Sequence, residues 1–131
     1  GWSDGGSTVL AVARAGHGLP AGVFRRFIAF YPGCRGAAAA AEWAAEGPVD
    51  ILMGAADDWT PIAPCRALAD RAARVRLHAF AGAYHDFDAP VPLRVLRDIP
   101  TSQNADRTVH AGMDPAGRAA ALALVPRLLE E

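Results

Sequence analysis

Residues 48–61 read "PVDILMGAADDWTP". A short apolar run, Val49 to Met53, stops at Gly54 and opens into a loop with two adjacent acids, Asp57 and Asp58. A run of this length, bounded by turn residues, reads as a buried strand feeding an acidic loop. The neighbouring stretches repeat the theme. Upstream, "RRFIAFYPG" (25–33) is aromatic and β-branched and ends in Pro-Gly, which predicts a strand and then a turn. Downstream, "ARVRLHAF" (73–80) alternates Val75, Leu77 and Ala79 against Arg76, His78 and Phe80, the period of a strand. Between them, "AAAAAEWAA" (37–45) is helical by propensity, and residues 62–73 also read as a helix.

Further out, "SDGGSTVLAVARAG" (3–16) predicts a helix with a glycine stop. Residues 89–112, rich in Pro, Asp and Thr, read as loop. A last helix starts with Asp114 as N-cap and Pro115 at its first position, and runs to Leu129. Strands alternating with helices, and strands without polar alternation, predict an α/β fold: a mostly parallel sheet flanked by helices. No repeat or linker divides the chain, so residues 1–131 are expected to form a single domain. Three strands leave exposed sheet edges, and a strand ahead of Ser3 would cover one of them.

Composition narrows the partners. The chain is 52% apolar and 21% charged, which supports a packed core and argues against disorder. The 13 basic residues, all Arg, offset 14 acidic ones, so nucleic acid and anionic membrane surfaces are not expected partners. No apolar run reaches the ~20 residues of a membrane helix, and no signal peptide is legible. Cys34 and Cys65 would pair in an exported protein and stay as thiols in a cytosolic one; both readings stay open. Neither C-x-x-C nor H-E-x-x-H occurs, so no metal site is expected.

The first seven residues, "GWSDGGS", hold a G-x-S-x-G pattern centred on Ser3. A serine hydroxyl becomes a useful nucleophile when a base takes its proton and its oxygen faces substrate. A tight strand-to-helix turn achieves the second condition. Such a turn is crowded, so small residues are expected two positions either side, here Gly1 and Gly5. The backbone N–H of Asp4, directly after the serine, would be one oxyanion donor at the start of the helix. The pattern also predicts that an acid and then a histidine follow, each just after a strand. Asp57 and His85 satisfy both the order and the placement. The competing reading makes Ser3 a tail serine or helix cap, Asp57 and Asp58 solvated loop carboxylates, and His85 a surface histidine.

With these residues in place, the chain resembles the dienelactone hydrolase family of α/β-hydrolases. "GWSDGG", "FYPG", "GAADDWTPIAPC", "AYHDFD" and "HAGMDPAGRAAAL" carry the resemblance. The family's acid loop, G-x-x-D-x-x-x-P, matches Gly54 to Pro61 and assigns the carboxylate to Asp57 rather than Asp58. The resemblance covers nearly the whole chain, but only the C-terminal portion of such a protein, beginning at the nucleophile turn. It implies a Ser3–His85–Asp57 triad acting on a small-molecule ester or lactone, without cofactor. It also implies a second oxyanion donor from an earlier loop. The family's namesakes use cysteine as nucleophile, so serine here points towards carboxylesterase chemistry. Trp2, Tyr31, Trp59 and Tyr84 fall beside the triad in sequence and either line an apolar pocket or serve as core aromatics. His17, His78 and His110 lack such a context and read as loop or strand-face residues. Two other functions remain: a truncated, non-catalytic hydrolase-like module, and peptidase or acyltransferase chemistry with the same triad.

Overall fold

The structure, a computed structural model, describes residues 1–131. The chain divides into two compact units, residues 1–52 with 62–78, and residues 53–61 with 79–131.

The first unit is built on a three-stranded parallel sheet ordered β1 (Phe27–Phe30), β2 (Val49–Gly54), β3 (Val75–Phe80). The last residues of β2 and β3 belong to the second unit. Phe27 lies opposite Val49, and Ile28 opposite Asp50. All six residues of β2 are buried, as a central strand covered on both faces requires. The expected strand–helix alternation is therefore present as a small α/β sheet flanked by helices. Trp2 forms a parallel bridge to Phe30, so residues 1–2 run beside β1 on the side away from β2. Helix α1 (Asp4–Ala13) follows at once and packs on β1, burying Leu10 and Ala13.

The helix expected over 37–45 is shorter and earlier. Helix α2 spans only Arg35–Ala39, and Ala40 is already extended. Alanine propensity is a weak preference, and tertiary contacts override it here. The Arg71 guanidinium, at the end of α3 (Ile62–Arg71), donates to the carbonyls of Ala37, Ala38 and Ala40. Trp43 is buried, and Ala45 forms an antiparallel bridge to Arg14 at the end of α1. A continuous helix to residue 45 would forfeit these contacts. Cys34 and Cys65 are joined in a disulfide with Cα atoms 5.0 Å apart, which ties the start of α2 to α3.

In the second unit, the stretch expected to be loop over 89–112 contains two short strands. These are β4 (Arg94–Leu96) and β5 (Val109–Ala111), paired antiparallel with Val95 opposite His110. Three residues per strand, with Arg94 and Val95 exposed, give too weak a periodic signal to read from sequence. Helix α4 (Pro115–Glu130) starts as expected: the Asp114 carboxylate accepts the Gly117 N–H at 2.6 Å. Met53, Ala83, Phe87, Val109, Ala111, Ala121 and Leu128 form this unit's apolar interior. No helix of the chain is long and apolar enough to cross a membrane.

Candidate active site

The acid loop begins where β2 ends. A Cβ on Gly54 would sit 2.4 Å from the Ala83 carbonyl oxygen and 2.7 Å from that of Tyr84. Glycine at this position is what lets the segment ahead of His85 lie against the end of β2. The Ala56 N–H seals the approach by donating to Ala83 at 3.0 Å. Asp57 then folds its side chain back on its own loop. Its Oδ1 accepts the N–H groups of Trp59 at 2.9 Å and Thr60 at 2.8 Å, and its Oδ2 accepts the Thr60 hydroxyl at 3.1 Å. An aspartate that bonds backbone two and three residues on makes a tight turn, and the turn fixes the carboxylate's direction.

That direction is towards His85. Nδ1 of His85 stands 2.8 Å from Oδ2 of Asp57, with the histidine 2% and the aspartate 6% exposed. A carboxylate only accepts, so Nδ1 is the donor in this bond. The Thr60 hydroxyl lies 3.0 Å from the same Nδ1. Trp59 packs against the imidazole with ring centroids 4.9 Å apart. The histidine backbone is held too: His85 bridges to Ala111 in β5, and its carbonyl accepts the Gly112 N–H at 2.8 Å. Asp86 follows with φ 58°, a left-handed turn immediately behind the histidine.

Asp58 faces a different histidine. Its Oδ1 accepts the His110 N–H at 2.9 Å, and its Oδ2 lies 2.7 Å from His110 Nδ1 and accepts the Asn104 amide at 2.8 Å. Burial pushes this carboxyl up, but the bonds from the His110 backbone, the His110 ring and Asn104 outweigh it and hold the pKa below the usual value. Tyr84 stacks on the His110 ring at 4.5 Å. His110, expected to be a loop or strand-face histidine, lies in β5 and is also half of a second Asp–His pair. Thr60 and Asn104 were also missed, although a threonine three residues after Asp57 is a legible turn signal.

Ser3 lies in the first unit, at the N-cap of α1, with φ 50° and ψ −118°. Positive φ is rare for a residue with a side chain and marks a backbone held by its surroundings. The holding bonds are visible: Ser3 N–H donates to Phe30 at 3.0 Å, and Phe30 N–H donates to Gly1 at 2.8 Å. The expectation for the flanking glycines needs one correction. A Cβ on Gly1 would fall 2.4 Å from the Gly5 carbonyl oxygen, so Gly1 is required. Gly5 has open space where its Cβ would be. The second crowded position is Gly6, whose Cβ would lie 2.8 Å from the Phe30 carbonyl oxygen. The helix packs on β1 one residue later than the motif suggests. Asp4 is the first residue of α1, which puts its N–H at the helix's positive end.

The four aromatics are divided between the two units. Trp59 and Tyr84 pack on His85 and His110 in the second unit. In the first unit, Trp2 is 56% exposed and stacks on Phe30 at 5.3 Å, whereas Tyr31 is buried with φ 36°. A cleft of about 530 Å³ in the first unit is lined by Ser7, Leu10, Arg14, His17 and Trp43 among others, and includes none of the proposed site residues. No group of three or more His, Cys, Asp or Glu side chains is placed to hold a metal ion.

One buried charge had no counterpart in the sequence reading. Asp50, the second residue of β2, is fully buried. It accepts from Arg26, from Arg76 Nε at 2.9 Å, and pairs with His78 Nε2 at 2.8 Å. His78, expected to be a loop or strand-face histidine, lies in β3 and is also a partner of Asp50.

Comparison with protein-family models, curated proteins and solved structures gave no match to this chain.

Proposed function

We propose that this chain is a serine hydrolase of the dienelactone hydrolase type, acting on a carboxylic ester or lactone. Ser3 is the nucleophile, His85 the general base and Asp57 its orienting carboxylate. The observation that carries the reading is the Asp57–His85 hydrogen bond, 2.8 Å long and buried at both ends. It orients the imidazole with Nδ1 towards the carboxylate, and the reading gives Nε2 the role of base. A strained serine at the mouth of a helix supports it independently.

In this scheme Nε2 of His85 takes the hydroxyl proton as Ser3 Oγ bonds to the substrate carbonyl carbon. The imidazolium that forms is stabilised by Asp57, which does not itself take the proton. The Asp4 N–H donates to the carbonyl oxygen as it gains negative charge. His85 then protonates the departing alkoxide, leaving an acyl-Ser3 ester. Water, deprotonated by the same Nε2, releases the acid and restores the serine.

Hydrolysis of p-nitrophenyl acetate by the chain and its variants tests this. Ser3→Ala and His85→Gln should each lower kcat by at least about 1,000-fold, and the double variant should be no slower than either single one, because the residues act as a unit. Retention of the rate by Ser3→Ala in a folded chain would refute the proposal.

A further inference from the structure

We infer that Asp58 is a positioning residue that sets the Asp57–His85 hydrogen bond. Its functional consequence rests on the triad reading; its structural consequence does not. The bonds that Asp57 makes to Trp59 and Thr60 lie inside its own loop. They aim the carboxylate relative to the loop, but they do not place the loop relative to the histidine. Asp58 supplies part of that placement. Its two oxygens take the backbone N–H and the ring Nδ1 of His110. The residue after His110 is Ala111, which bridges to His85, and the next, Gly112, donates to the His85 carbonyl. The path Asp57–Asp58–His110–Ala111–His85 therefore closes on itself through the 2.8 Å bond from His85 back to Asp57. A closed ring of short covalent and hydrogen-bonded links leaves little freedom for the catalytic pair.

Other contacts brace the same corner. The Asp58 carbonyl accepts the Gln103 N–H at 2.9 Å, and Asn104 Nδ2 donates both to Asp58 and, at 2.9 Å, to the Thr108 carbonyl just ahead of β5. Tyr84, the residue before His85, stacks on the His110 ring. Adjacent acids thus hold adjacent parts of one structure: Asp57 holds the reacting histidine, and Asp58 holds strand β5, to which that histidine bridges.

Asp58→Ala and His110→Ala separate this from a general packing role. His110→Ala keeps the backbone N–H bond to Asp58 and so should be the milder. The readout is the downfield proton resonance of His85 Nδ1–H, assigned by its absence in His85→Gln, together with ester kinetics and a thermal melt of each variant. The resonance should be present in the parent chain, lost or broadened in Asp58→Ala, and shifted but retained in His110→Ala. Asp58→Ala should lower kcat by about 10- to 100-fold with KM little changed, the cost of a small misplacement of a catalytic group. If Asp58→Ala fails to fold, an unchanged resonance in folded His110→Ala overturns the inference and a shifted one supports it. An unaltered resonance in folded Asp58→Ala also overturns it, as does a parent chain without the resonance. Loss of the resonance in a chain whose ester hydrolysis is indifferent to Ser3→Ala would uphold the positioning role and sink the hydrolase reading instead.

Discussion

Protonating Asp50 should cost the first unit a measurable part of its stability. Its carboxylate is fully buried near the start of β2, surrounded by Arg26, Arg76 and His78. Burial alone would raise its pKa; the hydrogen bonds from His78, Arg76 and Arg26, with the charge of Arg76, more than reverse this and lower it from 3.8 to about 2. Converted at about 1.4 kcal/mol per pH unit, that difference is worth about 2.5 kcal/mol. The sign follows from the lowered value. The folded state binds the Asp50 proton less readily than the unfolded chain, so the stabilisation is present in full above about pH 4. It is lost as the pH falls through about 2. Urea unfolding followed by circular dichroism, at intervals from pH 6 to 2, should show the loss in the parent chain. Asp50→Asn should lack that component. It should also be less stable at pH 6 by about 3–5 kcal/mol, because Arg26 and Arg76 lose their counter-charge in a partly buried place. Parallel acid limbs for parent and variant, or an Asp50 carboxyl carbon that titrates near 3.8, would refute the reasoning.

Three further outcomes follow from local geometry. Cys34 and Cys65 are separated by 31 residues, so reducing their disulfide should release about 3.7 kcal/mol of unfolded-state constraint and lower the melting temperature by about 13 °C; an unchanged melt would contradict this. Gly5→Ala should stabilise α1 by about 0.5–1 kcal/mol, whereas Gly6→Ala should cost about 1–3 kcal/mol through its clash with Phe30, and equal effects in chemical denaturation would show that the turn is misread. Gly54→Ala forces a methyl group against the Ala83 and Tyr84 carbonyl oxygens, so it should cost about 1–3 kcal/mol and weaken the His85 Nδ1–H resonance; a neutral substitution would be inconsistent with the close approach.

The features legible in the sequence are those set by short-range rules. The run from Val49 to Met53 announces a buried strand because burial on both faces removes polar alternation. Asp114 and Pro115 announce α4 because capping is local. Order along the chain and placement after a strand pointed to this loop and to His85, and the resemblance chose Asp57 over Asp58; Asp57 and His85 share a hydrogen bond in the structure. The rest depended on partners distant in sequence. Asp50 sits inside an apolar run, and its side-chain partners come from positions 24 to 28 residues away. Arg71 shortens α2 from 31 to 34 residues away, against the alanine propensity that predicted a longer helix. His110 meets Asp58 across 52 residues. Strands β4 and β5 are too short for a period to register.

Labelling with a fluorophosphonate probe, mapped by peptide mass spectrometry on a sample whose fold is verified by circular dichroism, tests the central claim most directly. The account predicts a phosphonyl adduct confined to Ser3, absent from Ser3→Ala and strongly slowed in His85→Gln. A folded chain that takes no label at Ser3, or takes it equally fast with Gln at position 85, would contradict it.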